Sequence, residues 1–375
     1  MPDPETRNLK PAPMSRPITA TIHADAMRHN LAAVRRLAPA SRVMAMVKAD
    51  GYGHGLETAV SALRDADAFG VASIEDAERI RALGLEQSVL VLSGFDSQED
   101  LERLRRLHAD SIVHHPAQID MLEQADGAPI GCWLKIDTGM HRLGFAPEQA
   151  REAHARLSDA RGVAGEVVLM THFASSDEFE GVSANSRQTR DQLQVFAEAT
   201  AGLAGPRSLA NSAAVLGWPG SHGDWVRPGG ALYGMSVVAG KTAADFGLRP
   251  AMTFATRLLA VNRIRKGEHI GYSATWETPE DMAVGVAAVG YGDGYPRLAP
   301  AGTPVLVGGA PAQVVGRVSM DLMTIDLRGH PDARVGDPVV LWGEGLPIER
   351  VADAAGTIAY DLTCSITRRV DFIEG

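Results

Sequence analysis

The sequence predicts an α/β plus β architecture: an N-terminal (β/α)8 TIM-like barrel over residues 16–245, then a C-terminal all-β domain over residues 246–375. Three observations point there. Short apolar runs alternate with amphipathic helical stretches from Val43 to about Val226. After about Asp245 the helical patterns become scarce and Val, Thr and Gly rise. The chain of 375 residues is too long for one minimal domain and suits a large domain plus a smaller one.

The apolar runs, in order, are "VMAMV" (43–47), "AFGVA" (68–72), "SVLVL" (88–92), "DSIV" (110–113), "GCWLKI" (131–136) and "GEVVLM" (165–170). Two weaker runs follow near Ser208–Ala210 and Asp224–Val226. Between them lie helix patterns. In "SIEDAERIRALG", Ser73 is the N-cap, Asp76 stands three positions on and Gly84 stops the helix. "SQEDLERLRRLHAD" from Ser97 reads the same way. Strand–helix alternation implies parallel βαβ units, and about eight of them in roughly 200 residues suggest a closed barrel. A doubly wound open sheet is the alternative. No GxGxxG follows the first strand, which weakens its dinucleotide-binding version. Beyond Asp245, runs such as "MTFATRLLAVNRI", "MAVGVAAVGYGDGY" and "TPVLVGGAPAQVVGRVSMDLMTIDL" are punctuated by Gly and Pro, as strands and turns are.

Composition narrows the function classes. The formal net charge is −10 with no basic stripe, so nucleic acid is not an expected partner. No apolar run approaches the roughly 18 residues of a membrane helix. Cys132 and Cys364 lie far apart and show no metal-ligand spacing. Residues 1–15 are polar and proline-rich, read as a disordered tail and not as a secretory signal, and a cytoplasmic location is expected.

In a parallel barrel, chemistry gathers on the loops after the C-terminal ends of the strands. Lys48 ends the first run, "DTGMHRLG" (137–144) the fifth and "THFASSDE" (171–178) the sixth. "NSAA" (211–214) and "RPGG" (227–230) follow the two weak runs. Five polar or glycine-rich clusters on one rim argue for a single site. A lysine there is either a stem packed in the rim with its head in water, or a desolvated amine able to form a Schiff base and act as a base. Ser212 and the amides of "RPGG" could hold an anion, although a Gly-Gly pair alone is more often a turn. A Schiff-base lysine with a phosphate cradle points to pyridoxal 5'-phosphate.

With that cofactor in view, "MVKADGYGHG" resembles the cofactor-lysine signature of the alanine racemase family. The resemblance runs from about Ile18 to the C-terminus through "KIDTGMHRLGF", "MTHFASSDE", "NSAA", "VRPGGALYG", "IGYSATW", "VGYGDGYPR", "GRVSMDLMTID" and "TIAYDL". It implies a barrel followed by a β-domain. It also implies a head-to-tail homodimer with shared active sites, in which each site is completed by the partner's β-domain.

The resemblance further implies residue roles. Lys48 carries the cofactor and is the base on the D-face of the substrate; Tyr272 of the partner subunit serves the L-face. Two bases on opposite faces let a proton leave one side and return on the other without moving the substrate. Arg227 faces the pyridine nitrogen, and a guanidinium practically never gives up its proton. Tyr52, Ser212, Gly229, Gly230 and Tyr360 match phosphate-binding positions, and His172 sits beside the ring. Arg142 and the backbone N–H of Met320 hold the substrate carboxylate. Lys135 matches a lysine that is carbamylated in several members and then orients the arginine. Tyr291, Asp177, Arg297, Arg317 and Asp321 line the access corridor. At Ser208 some members carry a histidine that hydrogen-bonds the ring-facing arginine. His114 and His115 are adjacent, so their side chains point apart, and they are not read as metal ligands.

The expected activity is the interconversion of L- and D-alanine, supplying D-alanine for peptidoglycan. The alternatives are a serine, lysine or broader-specificity racemase, a decarboxylase of the same architecture, and a non-catalytic cofactor-binding barrel. A decarboxylase would carry a cysteine in the β-domain site and a glutamate at the ring nitrogen, where Tyr272 and Arg227 stand. The third alternative leaves a β-domain bearing Tyr272 and Met320 without a use.

Overall fold

The computed structural model describes residues 16–179 and 186–375, so the stretch 1–15, read as a tail, lies outside the described residues. Two compact units emerge: Ala24–Ala251, and the residues up to His23 together with Met252–Gly375.

Strand β1 (Thr19–Ile22) comes first and belongs to the second unit. The barrel strands follow: β2 (Arg42–Met46), β3 (Ala68–Val71), β4 (Ser88–Val91), β5 (Ala109–Val113), β6 (Ile130–Lys135), β7 (Val163–Met170), β8 (Arg207–Ser208) and β9 (Trp225–Val226). Each pairs in parallel with the next. β9 returns to β2 through Arg42↔Trp225 and Val43↔Val226, which closes the barrel and rules out the open sheet. The strands are apolar without alternation because both faces are covered: all four residues of β3 are buried. Between strands, the Ser73 and Ser97 side chains accept from the N–H groups of Asp76 and Asp100, and so start helices Ile74–Ala82 and Gln98–Arg106.

The second unit is built on β10 (Met252–Ile264), β11 (His269–Ile270), β12 (Trp276–Glu277), β13 (Met282–Ala287), β14 (Pro304–Val307), β15 (Ala310–Val315), β16 (Met323–Asp326), β17 (Pro338–Trp342) and β18 (Asp371–Glu374). Eight strands form one sheet in the order β13-β16-β15-β14-β17-β10-β1-β18. β10 is long enough to pair with β17 along its first half and β13 along its second. Two helices, Ile348–Ala355 and Ala359–Cys364, accompany this β-rich domain. The first has the helical period in "IERVADAAG", burying Ile348, Val351 and Ala352, and ends at Gly356 with φ 70°.

The domain limits of 16–245 and 246–375 need two corrections. β1 is antiparallel to β10 and parallel to β18, so the chain's first strand is part of the second unit. The barrel unit also extends past residue 245 to Ala251. The buried Asn30 side chain explains that extension: its amide donates to the carbonyls of Leu232 and Arg249, and its oxygen accepts from Arg249 N–H.

Candidate active site

Lys48 follows β2 at the C-terminal end of the barrel and is half-buried. The four residues after it, Ala49, Asp50, Gly51 and Tyr52, have φ between 52° and 63° and ψ between 37° and 50°. They make one turn of left-handed helix, a conformation that costs L-residues roughly 1–2 kcal/mol each. Local bonds hold it. Gly51 N–H donates to Val47 O, Gly55 N–H to Asp50 O, and Leu56 N–H to the Asp50 carboxylate. His54 Nδ1 lies 3.1 Å from Gly51 O and 2.9 Å from Tyr52 O; both are acceptors, so this nitrogen carries the proton. Gly51 is required twice over, since its φ is 63° and a Cβ there would lie 2.8 Å from that of Ala59. The turn reverses the chain so that Tyr52 comes back over the barrel end.

There Tyr52 meets the loop after β9. A Cβ on Gly229 would overlap the Tyr52 hydroxyl, so only glycine fits. The Ser212 Oγ accepts from Gly229 N–H at 2.8 Å and Ala231 N–H at 3.2 Å. Tyr52, Ser212, Gly229 and Gly230 therefore share one small, buried cradle. Tyr233, a residue the sequence reading did not single out, supports it from behind: its ring stands 5.0 Å from that of Tyr52 and its hydroxyl donates to Met46 O. Its place in "GGALYG" was the available signal.

The centre of the mouth is cationic. Arg227 is 4% exposed, so every donor needs a partner. It donates to Ser208 Oγ at 2.5 Å, Thr171 O at 2.6 Å and Leu209 O at 3.2 Å. The Ser208 hydroxyl thus supports the guanidinium. Burial lowers the guanidinium to about 10, still a cation at neutral pH. Lys135, also buried, is lowered to about 8 by desolvation and by Arg227 and Arg142. The His172 imidazole is held well below its ordinary value, first by burial, then by the charges of Arg227, Lys135, Arg142 and Lys48. It is neutral at physiological pH.

Arg142 rides on a built loop. The Asp137 carboxylate accepts from the N–H groups of Gly139, Met140 and His141, each at 3.0 Å, and these bonds lower its pKa despite the opposing effect of burial. Phe145 N–H closes the loop on Lys135 O. Asp177, from the loop after β7, is half-buried, and desolvation raises its carboxyl. His114 Nε2 contacts Ser93 O, whereas His115 Nδ1 accepts from Ala117 N–H at a helix start, so the two rings do separate jobs.

The remaining sequence-predicted residues lie in the second unit. Tyr272 is 65% exposed in a turn where Gly271, Ser273 and Ala274 have φ of 76°, 64° and 50°. This turn lies against Gly316 and Arg317. Further along the same loop, Ser319 O and Met320 O accept from the N–H groups of Tyr291 and Gly292. The segment of Tyr291 is anchored by the fully buried Asp293 carboxylate, which takes both Arg16 nitrogens at 2.7 and 3.0 Å and lies 3.3 Å from Arg369 Nε. Arg369 also pairs with Asp321 at 2.5 Å, and Arg297 stands 5.7 Å from the Tyr291 ring centre. Tyr360 lies on helix Ala359–Cys364, apart in sequence from these loops.

Known proteins share these two domains. "Alanine racemase, N-terminal domain" matches residues 22–237, and "Alanine racemase, C-terminal domain" matches residues 251–373. The alanine racemase of Nitrosococcus oceani is 52% identical over 94% of this chain and 97% of its own. That of Shewanella baltica is 49% identical over 94% and 97%. The crystal structure of the biosynthetic alanine racemase from Pseudomonas aeruginosa superposes with a TM-score of 0.92 at 44% identity, covering 96% of this chain and 99% of that one. With both domain families matched in order over nearly the full length, the chain belongs to the alanine racemase family and is an enzyme of the racemase class.

Proposed function

We propose that the protein interconverts L-alanine and D-alanine with pyridoxal 5'-phosphate as cofactor, by a two-base route in a homodimer. The observation that carries this is the clustering of Lys48, Lys135, Arg142 and Arg227 around a neutral His172, beside a cradle of Tyr52, Ser212, Gly229 and Gly230. Lys135 and Arg227 are buried and Lys48 is half-buried; with the exposed Arg142 they make a cationic mouth that calls for anions, and a phosphate plus a substrate carboxylate supply them. The cradle fits a phosphate: Gly229 has no room for a Cβ beside the Tyr52 hydroxyl, and the Gly229 and Ala231 N–H groups fix the Ser212 hydroxyl as a donor toward an anion.

When bound, the cofactor supplies an electron sink that acidifies the substrate Cα–H. Lys48 Nζ tethers it and removes or returns the proton on one face. Tyr272 Oη of the partner subunit acts on the other; its exposure on the β-domain supports that role. Arg227 binds the ring nitrogen without surrendering a proton, because its own bonds to Ser208 and Thr171 fix it as a donor. Arg142 and Met320 N–H hold the carboxylate, Tyr360 reaches the phosphate, and Tyr291, Asp177, Arg297, Arg317 and Asp321 line the approach. Lys135 takes up carbon dioxide as a carbamate with loss of a proton, and its lowered pKa supports this by leaving more neutral amine. The carbamate then orients Arg142.

Similarity to the biosynthetic Pseudomonas aeruginosa enzyme supports a role in supplying D-alanine for peptidoglycan. A cytoplasmic location is supported by two cysteines that form no disulfide. Chiral analysis of products from a panel of L-amino acids, with and without added cofactor, tests the reading. D-Alanine as the main product, dependent on cofactor, is expected; D-serine or D-lysine as the main product overturns the substrate. Lys48→Ala should abolish the cofactor's absorbance near the visible–ultraviolet border, and a persisting band overturns the tether.

A further inference from the structure

We propose that Gln192 is a positioning residue, which orients His172 and locks the loop carrying Arg142 to the loop carrying His172. The inference rests on the functional reading above and names a residue which that reading leaves unused.

Gln192 lies on helix Ser186–Ala199 and is 1% exposed. Its carboxamide satisfies three groups. Oε1 accepts from Ala174 N–H at 2.9 Å. Nε2 donates to His172 O at 3.0 Å and to Thr138 Oγ1 at 3.2 Å. Only an amide offers an acceptor and two donors in this fork. Ala174 and His172 flank Phe173, so the amide grips the backbone on both sides of the histidine's successor and fixes the direction in which the His172 ring leaves the chain.

The same side chain reaches the neighbouring loop. Thr138 Oγ1, which accepts from Gln192, lies 2.7 Å from Thr171 Oγ1, and Thr171 O accepts from Arg227 at 2.6 Å. Gln192 and the guanidinium are therefore linked through Thr138 and Thr171, whose side chain takes the first bond and whose carbonyl takes the second. One helical turn earlier, Gln188 repeats the bridge at the surface: it accepts from Ser175 Oγ and donates to Gly139 O. Two glutamines at i and i+4 on one helix face thus clamp residues 138–139 to residues 172–175.

Three variants of the holoenzyme test this. Gln192→Met keeps the volume and removes every hydrogen bond; Gln192→Glu is isosteric and loses the donors; Gln188→Ala removes the outer bridge. Gln192→Met should lower kcat by about 10–100-fold with KM within about threefold, because misalignment on this scale acts on the reacting geometry. It should also change the visible circular dichroism of the bound cofactor and shift the His172 signal in a 15N-histidine-labelled protein. Gln188→Ala should show the same spectral changes at smaller size. Wild-type-like kcat, dichroism and His172 signal in Gln192→Met overturn the proposal; if that variant does not fold, the same three readings on Gln192→Glu decide it. Failure of the wild type to racemise alanine would defeat the functional reading alone, since the His172 signal still reports the clamp.

Discussion

Arg227 Nη1 donates to the Ser208 hydroxyl at 2.5 Å, and that hydroxyl donates onward to Trp225 O at 3.1 Å. The relay has one polarity: a guanidinium can only donate, so the serine proton must point to the carbonyl. Ser208→Ala leaves a buried donor without its acceptor, at a cost of about 1–3 kcal/mol. Denaturant unfolding should register that loss, and kcat/KM for alanine should fall with it. An unchanged unfolding midpoint would show that the bond contributes nothing.

Tyr272 is exposed in a turn of the β-domain. Tyr272→Phe should therefore leave stability and cofactor absorbance unchanged while conversion in the L→D direction collapses. Turnover equal to wild type in that direction would mean another group serves that face.

Lys135 gives a pH signature. Burial, then Arg227 and Arg142, lower its amine from 10.5 to about 8. Between those values the unfolded chain binds the extra proton, so this group makes stability rise with pH. Below about pH 8 both states are charged and the folded state bears the full cost, of order 3 kcal/mol. In carbon-dioxide-free buffer, Lys135→Met should gain most over wild type at pH 7 and progressively less toward pH 10. A gap that does not vary with pH contradicts the depressed amine.

The left-handed turn after Lys48 separates two glycines. Gly51→Ala meets both a positive φ of 63° and the Ala59 methyl at 2.8 Å; Gly55→Ala meets only a φ of 86°, with its nearest neighbour 3.6 Å away. Gly51→Ala should cost more stability, by roughly 1–3 kcal/mol against about 1 kcal/mol for Gly55→Ala, and should weaken cofactor binding by displacing Tyr52. Thermal unfolding of both variants with cofactor titration checks the order; equal losses would mean the Ala59 contact yields freely.

Much of this was legible in the chain. Buried parallel strands read as unbroken apolar runs, so "VMAMV" and "AFGVA" announced themselves, and Ser73 and Ser97 marked helix starts because a cap needs a hydroxyl near free N–H groups. Even the two-residue strands at Arg207 and Trp225 left a trace. Lys48 drew attention as an ammonium ending a strand, whereas the roles expected of Tyr52, Arg227 and Gly229 came from the resemblance to the alanine racemase family.

The sequence by itself determined the barrel, the β-rich domain after it and the rim on which the polar clusters fall, since those follow from local periodicity and from the direction of parallel strands. Tertiary structure alone decided that Thr19–Ile22 leaves the barrel for β10, that Asn30 carries the barrel unit on to Ala251, and that four residues after Lys48 wind left-handed. It alone made Ser208 the support of Arg227 and brought Gln192 against His172. Each depends on partners between 19 and 236 positions apart in the chain or on a strained backbone stabilised by its neighbours, and neither leaves a periodic signal in the order of the residues.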